Sequence, residues 1–437
     1  MTPYLFAFDW NTDSGVDEMA APELAATMAR LDITVASKFV TIAEDILNGS
    51  IRRSINVALY PIAEWIVLNW WQLLHNSRVA EEAVPSSADA EASTRLARHN
   101  LRSAADGFVW PNLLIRRDGP IARLDWRADD SAAPGRSIRF VTSGSEIVEV
   151  GWLQDSFADL VQAVLQRLEE AGVGETPLSK EWEALRALDT DETEFCEACG
   201  RLGIDPFSEG VDLAESIEEA FGQLGPTVAW ELFDAASPGS LRQDTAWIQR
   251  ALAQAAVGLS NEPGRFDLRR WRGTAPTTFF DHPPYEVGYE RARELRRDLG
   301  IAPTDAFPME QLPLTISTLG NNEPPLEGVL GAQNDELTAG LVLGWERGEE
   351  SRRFAAGRAV WHLLTGEGAS LLTAGSSSGQ RAGRAFAAEL LAPAEGIRAF
   401  LKAGTGSLAV AAIAADHYRV SDLVIRHQIE NQVARSS

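Results

Sequence analysis

The chain has almost no cysteine, no surplus of basic residues and no long apolar run free of polar interruption. Two cysteines in 437 residues exclude a secreted fold stapled by several disulfides and predict a cytoplasmic setting. Lysine and arginine total 39 against 63 aspartate and glutamate, a formal charge of −24. So acidic a surface repels a phosphate backbone, and nucleic acid is not an expected partner. Arg291, Arg293, Arg296 and Arg297 do cluster, but they alternate with Glu290, Glu294 and Asp298 and read as a solvated helix face. The most apolar stretch, residues 57–74, holds Pro61, Glu64, Asn69 and Gln72. That is too polar for a bilayer span, so no membrane association is expected. Met1-Thr2-Pro3-Tyr4-Leu5-Phe6 lacks the basic flank and cleavage site of a secretory leader.

What is present is a globular composition, 45% hydrophobic and 23% charged, in a chain long enough for two or three domains. The expected class is α+β multidomain. Residues 1–175 predict a mixed α/β domain of unassigned role. Tyr4, Phe6, Phe8 and Trp10 alternate as in a strand, as do Ile55, Val57 and Leu59 before Pro61 opens a helix. That helix carries Ile62, Trp65, Ile66, Trp70 and Leu73 on one stripe, the pattern of a buried face. Residues 108–115 and 121–126 flank Arg116-Arg117-Asp118-Gly119-Pro120 as a hairpin. Strands at 137–141 and 147–152 are expected to complete its sheet, and a helix over 155–171 to close the unit. The Ala/Ser/Glu-rich residues 81–92 read as a loop.

Residues 176–262 change to short amphipathic helices, at 178–188, 192–202, 213–224 and 240–259, and predict a helical connector. Residues 263–437 predict a small α/β domain with a helix at 285–299 and strands at 314–318, 326–331 and 339–344. Two facing helices follow within 353–393, then helices at 394–402, 407–417 and 420–432. In the first facing helix, Arg358 and His362 stand one turn apart on one face. The second opens after a Ser/Gly loop and stops at Pro393.

Arg353-Phe354 at the start of this stretch, and Phe386-Ala387-Ala388-Glu389-Leu390-Leu391-Ala392-Pro393 at its end, resemble the ImmA/IrrE family of bacterial metallopeptidase-like proteins. The family pattern reads roughly R-F-x-x-A-H-E-x-x-H, then E-x-x-A-N-x-F-A-A-E-L-L-M-P. The resemblance covers most of residues 263–437 and implies a zincin-like domain. In H-E-x-x-H the two histidines hold one zinc, the glutamate takes a proton from the metal-bound water, and a third ligand comes from a later helix.

The polar positions depart from that pattern. Aligned on Arg353-Phe354, the first histidine falls on Arg358, the glutamate on Ala359 and the second histidine on His362. The later carboxylate falls on Gln380, or on Ala382 in the other register, and Arg384 completes the altered set. A guanidinium stays protonated and offers no lone pair to zinc, and alanine is no base. The expectation is a degenerate site with no catalytic residue, no metal and no cofactor. Arg358 would stand in the vacated position and bond to a carboxylate or to Gln380. The chain would then act by protein binding, on a partner with a basic face, as a regulator or scaffold in a bacterial stress, mobile-element or phage-defence system. The alternatives are an active zinc endopeptidase that cleaves a transcriptional repressor, and a DNA-binding regulator.

Other motifs read as structural. Cys196-Glu197-Ala198-Cys199 matches C-x-x-C inside a helical pattern, which favours half-buried thiols over redox chemistry. Gly375-Ser376-Ser377-Ser378-Gly379 matches the G-x-S-x-G elbow, but a helix tail and loop are expected before it where the elbow needs a strand. Residues 413–428 suggest a helix-turn-helix with only Arg426 and His427 as basic recognition residues. His282, His417 and His427, with Asp281 and Glu389, lack ligand spacing for a relocated metal site.

Overall fold

The computed structural model describes residues 5–11, 21–78, 96–129, 138–207, 211–257, 266–280, 282–320, 326–333, 339–366, 368–375, 377–403 and 407–434. It is mixed α and β, in two compact units, Met1–Glu209 and Gly210–Ser437. The division falls inside the stretch expected as a connector. Its first two helices pack into the core of the first unit and its last onto the sheet of the second, because each buries its apolar stripe locally.

In the first unit, β1 (Phe6–Trp10), helix α1 (Pro22–Ala26) and β2 (Met28–Val35) lead into β3 (Lys38–Phe39), β4 (Ala43–Asp45), β5 (Ile51–Arg52) and β6 (Ile55–Ala58). The central strand, β2, runs antiparallel to both β1 and β6, with Phe6 opposite Ile33 and Met28 opposite Ala58. The helix expected from Pro61 is two, α2 (Tyr60–Leu68) and α3 (Trp70–His75). Between them Asn69 turns its side-chain amide back onto the Trp65 carbonyl at 2.8 Å. The stripe of Ile62, Trp65, Ile66, Trp70 and Leu73 is buried, as its spacing requires.

The hairpin of β7 (Asn112–Asp118) and β8 (Ile121–Arg127) continues through Arg116 and Arg117 and turns at Gly119-Pro120, where Gly119 has φ +65°. Of the next two strands, β9 (Ile138–Phe140) and β10 (Gly144–Glu149), only β10 joins the hairpin; β9 pairs with β4. The next helix, α4 (Val150–Glu170), already includes Val150 to Trp152, which were expected to end a strand. After it come α5 (Pro177–Ala187) and α6 (Thr190–Leu202). Leu178, Trp182 and Cys196 enter the same core, and the Trp182 ring lies edge-on to Trp70 at 5.4 Å. Residues 81–92, expected as a loop, lie outside the described residues.

The second unit opens with α7 (Val211–Leu224), α8 (Pro226–Ala235), α9 (Leu241–Val257) and α10 (Pro284–Asp298). A four-stranded sheet follows, β11 (Leu314–Thr318), β12 (Leu326–Gln333), β13 (Ala339–Leu343) and β14 (Ser370–Thr373), in the order β11-β13-β12-β14. Only β11 and β13 are parallel. Sequence reading had found neither α8 nor β14. Interleaved with the last strand are α11 (Glu349–Thr365) and α12 (Ser378–Leu391), followed by α13 (Ala394–Ala403), α14 (Ser407–Tyr418) and α15 (Asp422–Gln428). The sheet is covered on both faces. Gly331 and Gly340 face α9, where an added Cβ on Gly340 would stand 2.6 Å from the Ala255 carbonyl. Leu341 and Leu343, on the alternate face, pack with Ala355, Ala356 and Ala359 of α11.

Because α11 lies between sheet and helices, it is buried nearly all round, from Ala355 to Leu364 without a break. Small residues make this possible. An added Cβ on Gly357 would sit 3.0 Å from Ala387 on α12. The arginines of α10 correct the expectation of a solvated face. Arg291 pairs with Glu294 on the surface, but Arg296 is 3% exposed and donates to the carbonyls of Leu390, Ala302 and Asp305. Among the described residues no helix is long and apolar enough to cross a membrane.

One close contact in this packing is between α10 and α12. A Cβ on Gly288 would lie 2.4 Å from the Ala382 carbonyl and 3.0 Å from the Phe386 nitrogen, both backbone atoms. Gly288→Ala is therefore expected to destabilise the second unit by about 1–3 kcal/mol, despite alanine's better helix propensity. A lowered urea midpoint with an unchanged slope checks this.

Candidate functional site

Arg358 is the centre of the second unit's polar interior. It is 3% exposed, and a cation so placed needs partners on every side. Nη1 donates to Glu327 on β12 at 2.5 Å. Nη2 donates to the Thr373 carbonyl on β14 at 2.7 Å and to Gln380 Oε1 on α12 at 2.6 Å. The contact expected to a carboxylate or to Gln380 is made to both. Burial lowers the guanidinium to about 10, with Glu327 opposing the fall and Arg384 and Arg347 adding to it, so the group stays charged at neutral pH.

The same side chains close the outer edge of β14. In an antiparallel ladder a residue's N–H and C=O point the same way, toward the neighbour or away from it. Leu371 and Thr373 point away from β12. The Leu371 N–H donates to Glu231 of α8, and the Leu371 carbonyl accepts from Gln380 Nε2 at 2.7 Å. The Thr373 N–H donates to Gln380 Oε1 at 3.2 Å, and its carbonyl is the one taken by Arg358. Gln380 thus does for this edge what another strand would do. A peptide adding here as a strand meets no free backbone group at either residue.

One turn beyond Arg358, His362 is 5% exposed and its Nε2 has no hydrogen-bond partner. Burial, reinforced by the Arg358 charge, lowers the imidazole to about 3. Ala359 is buried against the sheet. Arg384 donates to the Gly375 carbonyl at 2.8 Å, binding the loop ahead of α12. Zinc does not fit this set, since the position beside His362 is a protonated guanidinium committed to three acceptors. No family model and no curated protein matches this chain.

The remaining motif residues hold the scaffold. Arg353 donates to the carbonyls of Phe307, Tyr418 and Arg419. Phe354 packs half-buried on the helical core, and Phe386 is fully buried, 5.8 Å from the Trp361 ring. Glu389 is 1% exposed and accepts from Arg293, Gln428, Gln432 and the Ala394 N–H. Pro393 ends α12, and its carbonyl accepts the Ile397 N–H of α13.

The side motifs resolve differently. Cys196 and Cys199 form no disulfide and are fully buried rather than half-buried, and burial raises the Cys196 thiol to about 11, far from a reactive thiolate. Gly375 to Gly379 is preceded by β14, not by a helix tail, so the strand–loop–helix context exists after all. Yet Ser377 has ordinary backbone angles, φ −56° and ψ 152°, and serves as N-cap by accepting from the Gln380 N–H. Arg419, at φ 56°, makes the turn between α14 and α15, whose Ile425 and Gln428 are buried while Arg426 and His427 are exposed. His417 Nε2 lies 2.7 Å from the Thr304 carbonyl, His282 is exposed, and Asp281 lies outside the described residues. Sequence reading missed Glu327, Glu231 and Thr373. A lone acid within the apolar run of β12 was the one available signal for Glu327.

Replacing Arg358 by methionine removes the link between α11, β12, β14 and α12. The expected cost is about 3–5 kcal/mol, because Glu327 and Gln380 lose a buried charge partner, and chemical denaturation measures it. His362 makes a pH prediction. Its pKa falls from 6.5 unfolded to about 3 folded, so its contribution is intact above 6.5 and is lost as pH drops toward 3. That slope is about 1.4 kcal/mol per pH unit. His362→Leu should lose less stability than wild type between pH 7 and 5, by roughly 2 kcal/mol on that slope.

Proposed function

We propose that the chain is a catalytically inactive, metallopeptidase-like protein of the ImmA/IrrE type that works by binding another protein. Its second unit is read as a zincin-like domain whose catalytic equipment has been replaced by a structural ion pair. The observation that carries this reading is Arg358. Where the resembling pattern needs a neutral metal-binding imidazole, the chain buries a guanidinium in bonds to Glu327, Thr373 and Gln380. Ala359, in the place of the general base, has nothing to take a proton with. The closed edge of β14 supports the same reading, since it offers a substrate strand no hydrogen bonds.

The role is that of a regulator or scaffold in a bacterial stress, mobile-element or phage-defence system. A net charge of −24 favours a partner with a basic face and gives the association a strong salt dependence. Metal analysis of the protein purified without chelator tests the reading. Substoichiometric zinc and no cleavage of a partner recovered from the native host are expected. Stoichiometric zinc that disappears in His362→Ala overturns it in favour of an active zinc endopeptidase.

A further inference from the structure

The two edges of the second unit's sheet differ. At β14 the outward backbone groups of Leu371 and Thr373 are all taken by side chains. The opposite edge is β11, which pairs on one side only, with β13. In a parallel ladder, alternate residues turn both backbone groups toward the same neighbour. The Pro313 carbonyl accepts from Ala339 and the Leu319 N–H donates to Leu343, so the odd-numbered residues face β13. Leu314, Ile316 and Thr318 therefore point out of the sheet. The Leu314 N–H donates to the Leu312 carbonyl, and the Thr318 carbonyl accepts from Gln254 Nε2 at 3.3 Å. The Leu314 carbonyl, both groups of Ile316 and the Thr318 N–H have no hydrogen-bond partner among the described residues. Every residue of β11 is half-buried, so the edge reaches solvent. The usual guards of an edge are missing. Leu314-Thr315-Ile316-Ser317-Thr318 carries no charge and no proline, and its register with β13 runs without a bulge.

We propose that β11 is where the second unit binds an extended segment of a partner protein, which adds to the sheet as a further strand. A peptide backbone supplies donors and acceptors at the spacing of the unmet groups, so those groups name the kind of occupant. The segment's residue opposite Ile316 lies on the face where Leu314 and Ile316 pack on the apolar core with Met309, and is apolar for that reason. Its neighbours lie on the face of Ser317, whose Oγ accepts from Gln254 at 2.8 Å, and are polar. A second copy of β11 offers the same pattern, but each copy brings a charge of −24, and like charge opposes the pairing. The same charge favours a segment flanked by lysine or arginine. The inference deepens the reading of a protein that acts by binding, and rests on it.

The probe is the peptide acetyl-Lys-Lys-Val-Thr-Val-Lys-Lys-amide, titrated into the full chain while amide hydrogen exchange is followed at Ile316 and Thr318. Fast exchange of both amides in the free protein, and protection of both as the peptide saturates, are expected. The same peptide with both valine nitrogens methylated keeps its charge and side chains but cannot donate to the edge. Its affinity should be lower by about tenfold or more. Thr318→Pro removes one outward N–H at an edge position that tolerates proline, and should weaken the unmodified peptide in the same way. The methylated peptide is tested on the wild-type chain, so a folding defect in the variant does not decide the outcome. No binding, equal affinity of the two peptides, or binding without protection of the two amides overturns the proposal. Protection that rises with protein concentration and needs no peptide assigns the edge to a second copy, and overturns it too. Zinc content of the same preparations separates this from the functional reading. Stoichiometric zinc overturns that reading, while zinc-free protein that leaves both amides unprotected overturns the β11 site alone.

Discussion

A single buried cation organises the second unit. Arg358 cannot leave water without acceptors, and the acceptors it finds belong to β12, β14 and α12. Its bonds therefore fix where α11 sits on the sheet and how α12 approaches the strand before it. Gln380 extends the constraint, since one side-chain amide accepts from both Arg358 and the Thr373 N–H while donating to the Leu371 carbonyl. A sheet edge that would otherwise be open is thereby closed by side chains from the same chain.

A second polar node holds the far end of α12. Glu389 is buried, and Arg293 of α10 and Gln428 of α15 meet on its carboxylate. Arg296 and Arg353 do related work with backbone carbonyls, tying the turn after α10 and the turn after α14 to the helices. Between the nodes the packing is apolar and close, with Gly288 and Gly357 letting α12 approach both α10 and α11. Arg296, Arg353, Arg358 and Glu389, all buried here, are each paired or bonded to carbonyls.

Much of this was legible from the chain alone, for identifiable reasons. β11 is found at the residues expected for it, and α10 and α12 lie within a residue or two of their expected bounds, because those signals are local. The stripe of α2 and α3 is buried as its period requires. What failed did so where local signals compete with distant ones. Residues 147–152 were expected as a strand, but from Val150 they begin a helix that fills the first core. β9 has the pattern of a sheet member, yet pairing with β4 rather than β8 depends on a partner about 95 residues away. β14 is only four residues long, too short for periodicity to register.

For the site, the sequence by itself determined what two of its positions cannot do. Arginine at 358 offers no lone pair to a metal and alanine at 359 no base, wherever those residues lie, because side-chain chemistry does not depend on the fold. It also set a shared face for Arg358 and His362, since helical spacing is local. Only the tertiary structure decided what the guanidinium does. Glu327, Thr373 and Gln380 stand 31, 15 and 22 residues from it in the chain, and no local pattern brings such distant groups together. Their convergence is a property of the packed sheet and helices, and it makes Arg358 the cation of a structural ion pair.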